Sequence, residues 1–216
     1  MGTPLRPLLL LGVVAATLPA EIIDRIAVTV DSSVITTSQV LEEVRVTAFL
    51  NGAKPDFTPA SRRQTADRLI EQLLVRREMD LTRYLQPEAG EVLETFEGVR
   101  AHFASEAAYR QALAEYRLEE ADIAAALLRQ SALLRFIELR FRPEIQVQES
   151  DVMQYYENVY LPEIRQKGVT PEPAFEEVRE QCERGLTEQL VDQRVDKWLK
   201  EARGRARIVY SEEAFQ

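Results

Sequence analysis

Only one cysteine, Cys182, and one histidine, His102, occur in the 216 residues. A single cysteine excludes an intramolecular disulfide, so the fold must rely on its core. A single histidine excludes a His-rich metal site, and no cysteine stands near it in the chain. His102, in VRAHFAS, reads as a surface or partly buried helical residue. Glycine is scarce, at 8 residues. No Gly-rich phosphate loop occurs, which leaves nucleotide use without support. A Gly-x-Ser-x-Gly elbow is missing too. So are long polar tracts, Gly/Ser-rich tracts and repeats of solenoid period. Acidic pairs such as Glu42-Glu43, Glu119-Glu120 and Glu176-Glu177 lie in polar helical stretches and read as solvated faces, not acid/base pairs. Nothing in the chain is a positive sign of catalysis, and no cofactor is implied.

What is present suits a globular protein, with 45% hydrophobic and 29% charged residues. The length allows one sizeable domain or two small ones. The formal net charge of −9 repels phosphate backbones, so nucleic acid is not an expected partner. Arg129, Arg135, Arg140 and Arg142 read as the solvated face of one helix.

The first twenty residues read as a targeting segment. Arg6 precedes the apolar run LLLLGVVAAT, which is too short to span a bilayer comfortably. Small residues follow, with cleavage expected after Ala16 or Ala20. No cysteine follows the run, so a lipid anchor is unsupported; an uncleaved N-terminal anchor is the alternative. No later stretch is long and apolar enough to span. The expected mature protein is soluble and exported, with no stable membrane insertion.

Patterning then divides the chain. IAVTV alternates Ile26, Val28 and Val30 with Ala27 and Thr29, as a strand does, and VITT returns after a DSS turn. Thr36 and Gln39 have capping-box spacing, so a helix starts there, with Val40, Leu41, Val44 and Ala48 as its apolar positions. Asn51-Gly52 suits its end. A second helix is expected over 59–85. Pro87 and Glu88 suit the start of a third, with Val92, Leu93, Phe96 and Val99 on its stripe. Ser105 and Glu106 open another through Tyr109, Leu113 and Tyr116. LEEADIAAALLRQSALLRFIELRF has one side marked by Ile123, Leu127, Leu134, Ile137 and Phe141. Leu128, Phe136 and Leu139 widen it into the stripe of a central helix contacted on more than one side. EIQV could be a short strand, and ESDVMQYYENVY a short helix before a connector over 161–173. The last helix is expected over 174–203. Phe175, Val178, Cys182, Leu186, Leu190, Val195, Trp198 and Ala202 face inward, and Gly204 is placed as its cap. Cys182 on that stripe reads as a small buried hydrophobe. ARIVY ends the pattern as a strand. A lone hairpin is marginal, so ARIVY should pair with IAVTV and bring the two chain ends into one sheet, against which Trp198 should bury its indole.

The opening stretch EIIDRIAVTVDSSVITTSQVLEEV resembles the start of mature SurA-type periplasmic chaperones, through Asp24, Ile26, Val30, Val34, Ile35, Thr36 and Ser38. RLIEQLLVRREMD is similar to the second helix of that family. FASEAAYRQALAEYRLEEADIAAALLRQSALLRFIELRF is similar to its middle helices, with Arg117 where the family often has glycine. IQVQESDVMQYYE is similar to the helix before its isomerase module, and the last helix and strand to its closing segment. The resemblance spans nearly all of the mature chain. It implies a mainly α fold with a small β element, a multi-helix SurA- or trigger-factor-like core over 21–216. The N-terminal part of that core is 21–142, and its closing helix and strand 174–210. The parvulin prolyl-isomerase modules usual in the family are absent, since only the connector over 161–173 lies in their place and one histidine cannot supply a parvulin pair. The implied function is ATP-independent binding of unfolded exported proteins, in the family outer-membrane β-barrels. Met153, Tyr155, Tyr156 and Tyr160 are candidates for the client-binding face, with ordinary packing between helices as the competing role. An isomerase-family enzyme and a non-catalytic scaffold of the cell envelope are the alternative functions.

Overall fold

The computed structural model describes residues 24–82 and 89–216. The expected targeting segment over 1–20 and the expected helix start at Pro87-Glu88 lie outside these. The protein is mainly helical, with one small antiparallel sheet.

Strands β1 (Ile26–Val30) and β2 (Ser33–Thr36) form the hairpin. Asp31 takes a left-handed conformation in its turn, with φ 51°. Strand β3 (Ile208–Tyr210) pairs antiparallel with β1, with Val28 opposite Tyr210 and Val30 opposite Ile208. The order is β2-β1-β3, so the two ends of the chain share one sheet as their β-branched composition predicts. Simple alternation in β1 does not survive. The β1–β2 register shifts between Ile26 and Val28, and this irregularity turns Ala27 inward beside Val28 and Val30 while Ile26 stays exposed. A bulge of this kind locally breaks the two-residue period.

Helix α1 (Thr37–Leu50) follows β2 directly, and its start is heavily capped. Thr36 N–H donates to Gln39 Oε1 at 2.9 Å, and Gln39 N–H to Thr36 Oγ1 at 3.3 Å. Asp24 accepts from the Ser38 hydroxyl and from the Ser38 N–H. These bonds satisfy N–H groups of the first turn, which have no partner within the helix. Asp24 and Ser38 thus do local work: they tie the segment before β1 to the first turn of α1. Val46 and Phe49 are buried as well as the expected Val40, Val44 and Ala48.

Helix α2 (Pro59–Thr82) is followed, within the described residues, by a short 3-10 turn (Ala89–Val92) and α3 (Leu93–Ala101). Leu93, expected on the inward stripe, is exposed, whereas Val92 is buried. Helix α4 (Glu106–Tyr116) is capped by Ser105, whose Oγ accepts from Ala108 N–H at 3.2 Å. Helix α5 (Glu120–Arg140) is long, but its stripe is narrower than the sequence suggests. Ile123, Leu127, Ala132 and Phe136 are buried, while Leu134 and Leu139 are 57% and 54% exposed. EIQV forms no strand. Helix α6 (Glu149–Tyr155) runs through a π-helical turn (Tyr156–Tyr160) into α7 (Leu161–Gln166), so nearly half of the expected connector is helical.

Helix α8 (Phe175–Arg205) begins with Ala174 N–H donating to Glu177 Oε2 at 3.1 Å. Gly204 lies inside the helix; the C-cap is Ala206 in extended conformation. Side chains along α8 enter three successive apolar clusters. Val178, Cys182, Leu186 and Leu190 pack with Val152 of α6. Val191, Val195 and Trp198 pack with Ala132, Phe136 and Phe141 beside Val75 and Met79 of α2. Ala202 reaches the cluster under the sheet, which holds Val28, Val30, Ile70 and Phe215. Trp198 therefore does not seat on the sheet. Its ring centroid lies 5.8 Å from Phe136 and 6.0 Å from Phe141, beside the end of α5. A fourth cluster joins α1 to α3, α4 and α5 through Phe49, Tyr109, Leu113 and Ile123.

A polar network locks the closing strand. Asp67 Oδ1 accepts from the Tyr210 hydroxyl at 2.5 Å and from Arg203 Nη2 at 2.8 Å. Arg63 lies over the Tyr210 ring, 3.5 Å from its centroid. Burial pushes the Asp67 carboxyl up, but the bonds from Tyr210 and Arg203 outweigh it and hold the group below its ordinary value.

Candidate functional site

Two regions are candidates: the tyrosine-rich segment and a crevice between α1, α2 and α5.

In the first, the four expected residues divide. Met153 is 37% exposed, whereas Tyr155, Tyr156 and Tyr160 are half-buried and pack on the Val152–Cys182–Leu186 cluster. Tyr156 stacks on Tyr160 at 6.1 Å and meets the edge of Phe175 at 5.4 Å. Its hydroxyl donates to the Pro173 carbonyl at 2.8 Å, and the Tyr160 hydroxyl bonds Gln181 at 3.4 Å. Tyr155 lies tight against Gly185, where an added Cβ would sit 2.6 Å from the Tyr155 hydroxyl oxygen. Each ring thus helps fasten α6 and the π turn to α8. Tyr155 and Tyr160 also edge a hollow of about 270 Å³ that holds Glu163, Lys167, Arg184 and Glu188. Burial pushes the Tyr155 phenol and the Cys182 thiol up, so both stay protonated near neutrality.

The second region was not singled out by patterning. Three hollows adjoin one another around Gln72 and Arg129, which border all of them. The largest, about 490 Å³, lies among α1, α3 and α5, with Val46, Leu50, Val99, Leu127 and Leu133 in its wall. A second, about 260 Å³, is bounded by β2, α1 and α2, with Glu42, Glu43 and Arg76 on it. The third, about 170 Å³, is the most apolar, and Val75, Met79, Leu128, Ala132 and Leu133 line it between α2 and α5. Arg129 is fixed across the crevice by Glu43 at 3.4 Å, where the Glu43 side chain is 13% exposed. The pair joins α5 to α1. Arg129 is therefore not simply part of a solvated face, whereas Arg140 and Arg142 make surface pairs with Glu144 and Glu138.

His102 is exposed at the end of α3, with Nδ1 2.7 Å from the Gly98 carbonyl. Among the described residues no group of three or more His, Cys, Asp or Glu is placed to hold a metal ion, and no described helix is long and apolar enough to cross a membrane. No family model matches the chain, and no curated protein matches it. The crevice can offer apolar walls, a free amide and guanidinium groups to a ligand, which is the chemistry of binding.

Proposed function

We propose that this protein is a SurA-type chaperone core that binds unfolded segments of exported proteins, outer-membrane proteins in particular, in the periplasm without ATP. The observation that carries the reading is the crevice between α1, α2 and α5. Its hollows adjoin one another, as an extended segment requires, and its walls mix aliphatic side chains with polar groups. Such a surface shields apolar client side chains by removing them from water, at about 25 cal/mol per Å². Met79 adds an adaptable wall, since thioether side chains repack easily around different shapes. Binding to a shallow groove is weak enough to reverse. The client leaves when folding or membrane insertion offers it a lower free energy. Neither nucleotide nor catalysis is needed in this scheme. The candidate client face moves from the tyrosine segment to the crevice, with Met153 as an accessory contact, because the three tyrosines are already engaged in packing.

The test is aggregation of a denatured outer-membrane β-barrel diluted from urea, followed by light scattering in the absence of nucleotide. Added protein at roughly equimolar ratio is expected to suppress scattering for several unrelated unfolded clients. Suppression of none of them, with stable binding of one folded partner instead, would replace the chaperone by a scaffold. Catalysed isomerisation of a prolyl peptide would replace it by an enzyme.

A further inference from the structure

The protein as a whole carries a net charge of −9, but the crevice does not follow that balance. Arg68, Arg76 and Arg129 border it against Glu42 and Glu43. Glu43 engages Arg129. Arg68 spends a guanidinium N–H on Thr65 Oγ1 at 2.9 Å. Arg76 is exposed on α2 and has no ion-pair or hydrogen-bond partner among the described residues. Gln72, one turn before Arg76 and at the junction of the three hollows, likewise keeps its amide unpaired among the described residues. Three arginines against two glutamates leave the seam one charge positive in an acidic molecule, and with the Gln72 amide it is complementary to a ligand that carries negative charge and peptide groups of its own.

We propose that the crevice selects extended polypeptide segments in which carboxylate side chains alternate with aliphatic ones. This rests on the chaperone reading and names the kind of segment it takes. In an extended chain successive side chains point to opposite sides, so one edge can be acidic and the other apolar. The apolar edge fits the hollow walled by Val75, Met79, Leu128 and Ala132. The acidic edge meets Arg76 and Arg68, whose guanidinium groups suit carboxylates. The Gln72 amide, which both donates and accepts, can pair with one peptide unit between the two edges. Selection by charge also suits a transient binder, since it raises the rate of encounter more than it slows release.

The experiment uses fluorescein-labelled peptides of equal length in which leucine alternates with Asp, Asn or Lys, titrated with the exported chain and read by anisotropy. The Asp peptide is expected to bind best and the Lys peptide worst, with the gap closing as salt rises. Arg76→Glu should weaken the Asp peptide by about fivefold and leave the Asn peptide unchanged. Arg76→Gln, which adds no charge, should give a smaller loss in the same direction. Arg76 is exposed, so unchanged melting of both variants separates a binding effect from a folding one. Equal binding of the Asp and Lys peptides by the wild type overturns the proposal, as does indifference of their order to Arg76→Glu. The same proteins are then used to suppress barrel aggregation. Suppression without charge selection removes the segment preference and keeps the chaperone; charge-selective peptide binding without suppression does the reverse.

Discussion

Tyr109 is the largest fully buried side chain, and its hydroxyl has no hydrogen-bond partner among the described residues. The ring is held by Phe49 and Phe103, at 6.1 and 5.4 Å. An unpaired buried hydroxyl costs about 1–3 kcal/mol. Tyr109→Phe keeps the ring and removes that cost, and is expected to raise stability by about 1 kcal/mol in urea titration. A fall in the midpoint would mean that an ordered water satisfies the hydroxyl. Arg117 presents a second local conflict. It ends α4 with φ 55° and ψ 48°, and Leu118 N–H closes back on the Leu113 carbonyl at 2.9 Å. A side chain in that conformation is strained by about 1–2 kcal/mol. Arg117→Gly is expected to stabilise by about 1 kcal/mol, less what glycine loses in chain entropy. A decrease in stability would show that the Arg117 side chain contributes more than its backbone conformation costs.

Among the elements, β3 and the turn after it decide whether the fold closes. The 3-10 turn (Glu212–Phe215) drives Ala214 and Phe215 into the core beneath β1. Arg62 holds this end in place, donating to the Gln216 carbonyl at 2.7 Å. Phe215→Ala removes a buried ring and is expected to cost about 3 kcal/mol. A chain ending at Ala206 loses the ring, the strand and the Tyr210–Asp67 bond together. It should lose several kcal/mol, a large part of the roughly 5–15 kcal/mol of an ordinary domain. Thermal melting of the two variants measures both. An unchanged midpoint for the truncated chain would mean that β3 does not close the fold. Trp198 offers an independent readout, being the only tryptophan. Its contacts are with Phe136 and Phe141. Its emission should therefore respond to Phe141→Leu and stay unchanged with Val209→Thr on the exposed face of β3.

For the whole molecule, acid tests the ties between distant parts of the chain. Asp31 joins three of them. It accepts from Arg207 N–H at 2.7 Å and from Arg77 Nη1 at 2.6 Å, and so links the hairpin turn to β3 and α2. The Arg207 and Arg77 bonds hold its carboxyl below the ordinary value of 3.8. The Ser38 bonds do the same for Asp24, and the Tyr210 and Arg203 bonds, against burial, for Asp67. A carboxyl whose folded value is depressed contributes stability above its unfolded value and loses it as pH falls through the folded one. Glu71 works the other way: burial raises its value, so its ionised form is mildly unfavourable at neutral pH. Glu106, Glu138 and Glu172 are depressed too, chiefly by hydrogen bonds from Arg100, Arg142 and Arg165. Among the described residues the depressed carboxyls thus outnumber the raised one, so urea midpoints should fall between about pH 5 and about pH 2. Asp31→Asn with Asp67→Asn should lower stability at neutral pH and flatten that acid dependence. A double variant as acid-sensitive as the wild type would place the sensitive carboxylates elsewhere.

Features that depend on near neighbours in the chain were legible without coordinates. The hairpin needs only β-branched alternation around a polar turn, and the α1 start needs only Thr36 and Gln39 three residues apart. The inward line of Cys182 and Leu186 on α8 needs only the helical period. The pairing of β1 with β3 was also readable, because an edge strand must be covered and the chain offers few partners. Periodicity identifies an apolar face but says nothing about which neighbour covers it. Leu134 and Leu139 therefore looked like core until α5 found its neighbours on its other sides. Trp198 was correctly turned inward yet assigned the wrong partner. The same limit hid the crevice, since Gln72 and Arg129 lie 57 residues apart and come together only when α1, α2 and α5 pack side by side. A seam between helices is set by the angles and distances at which three elements meet, and no single stretch of sequence encodes those.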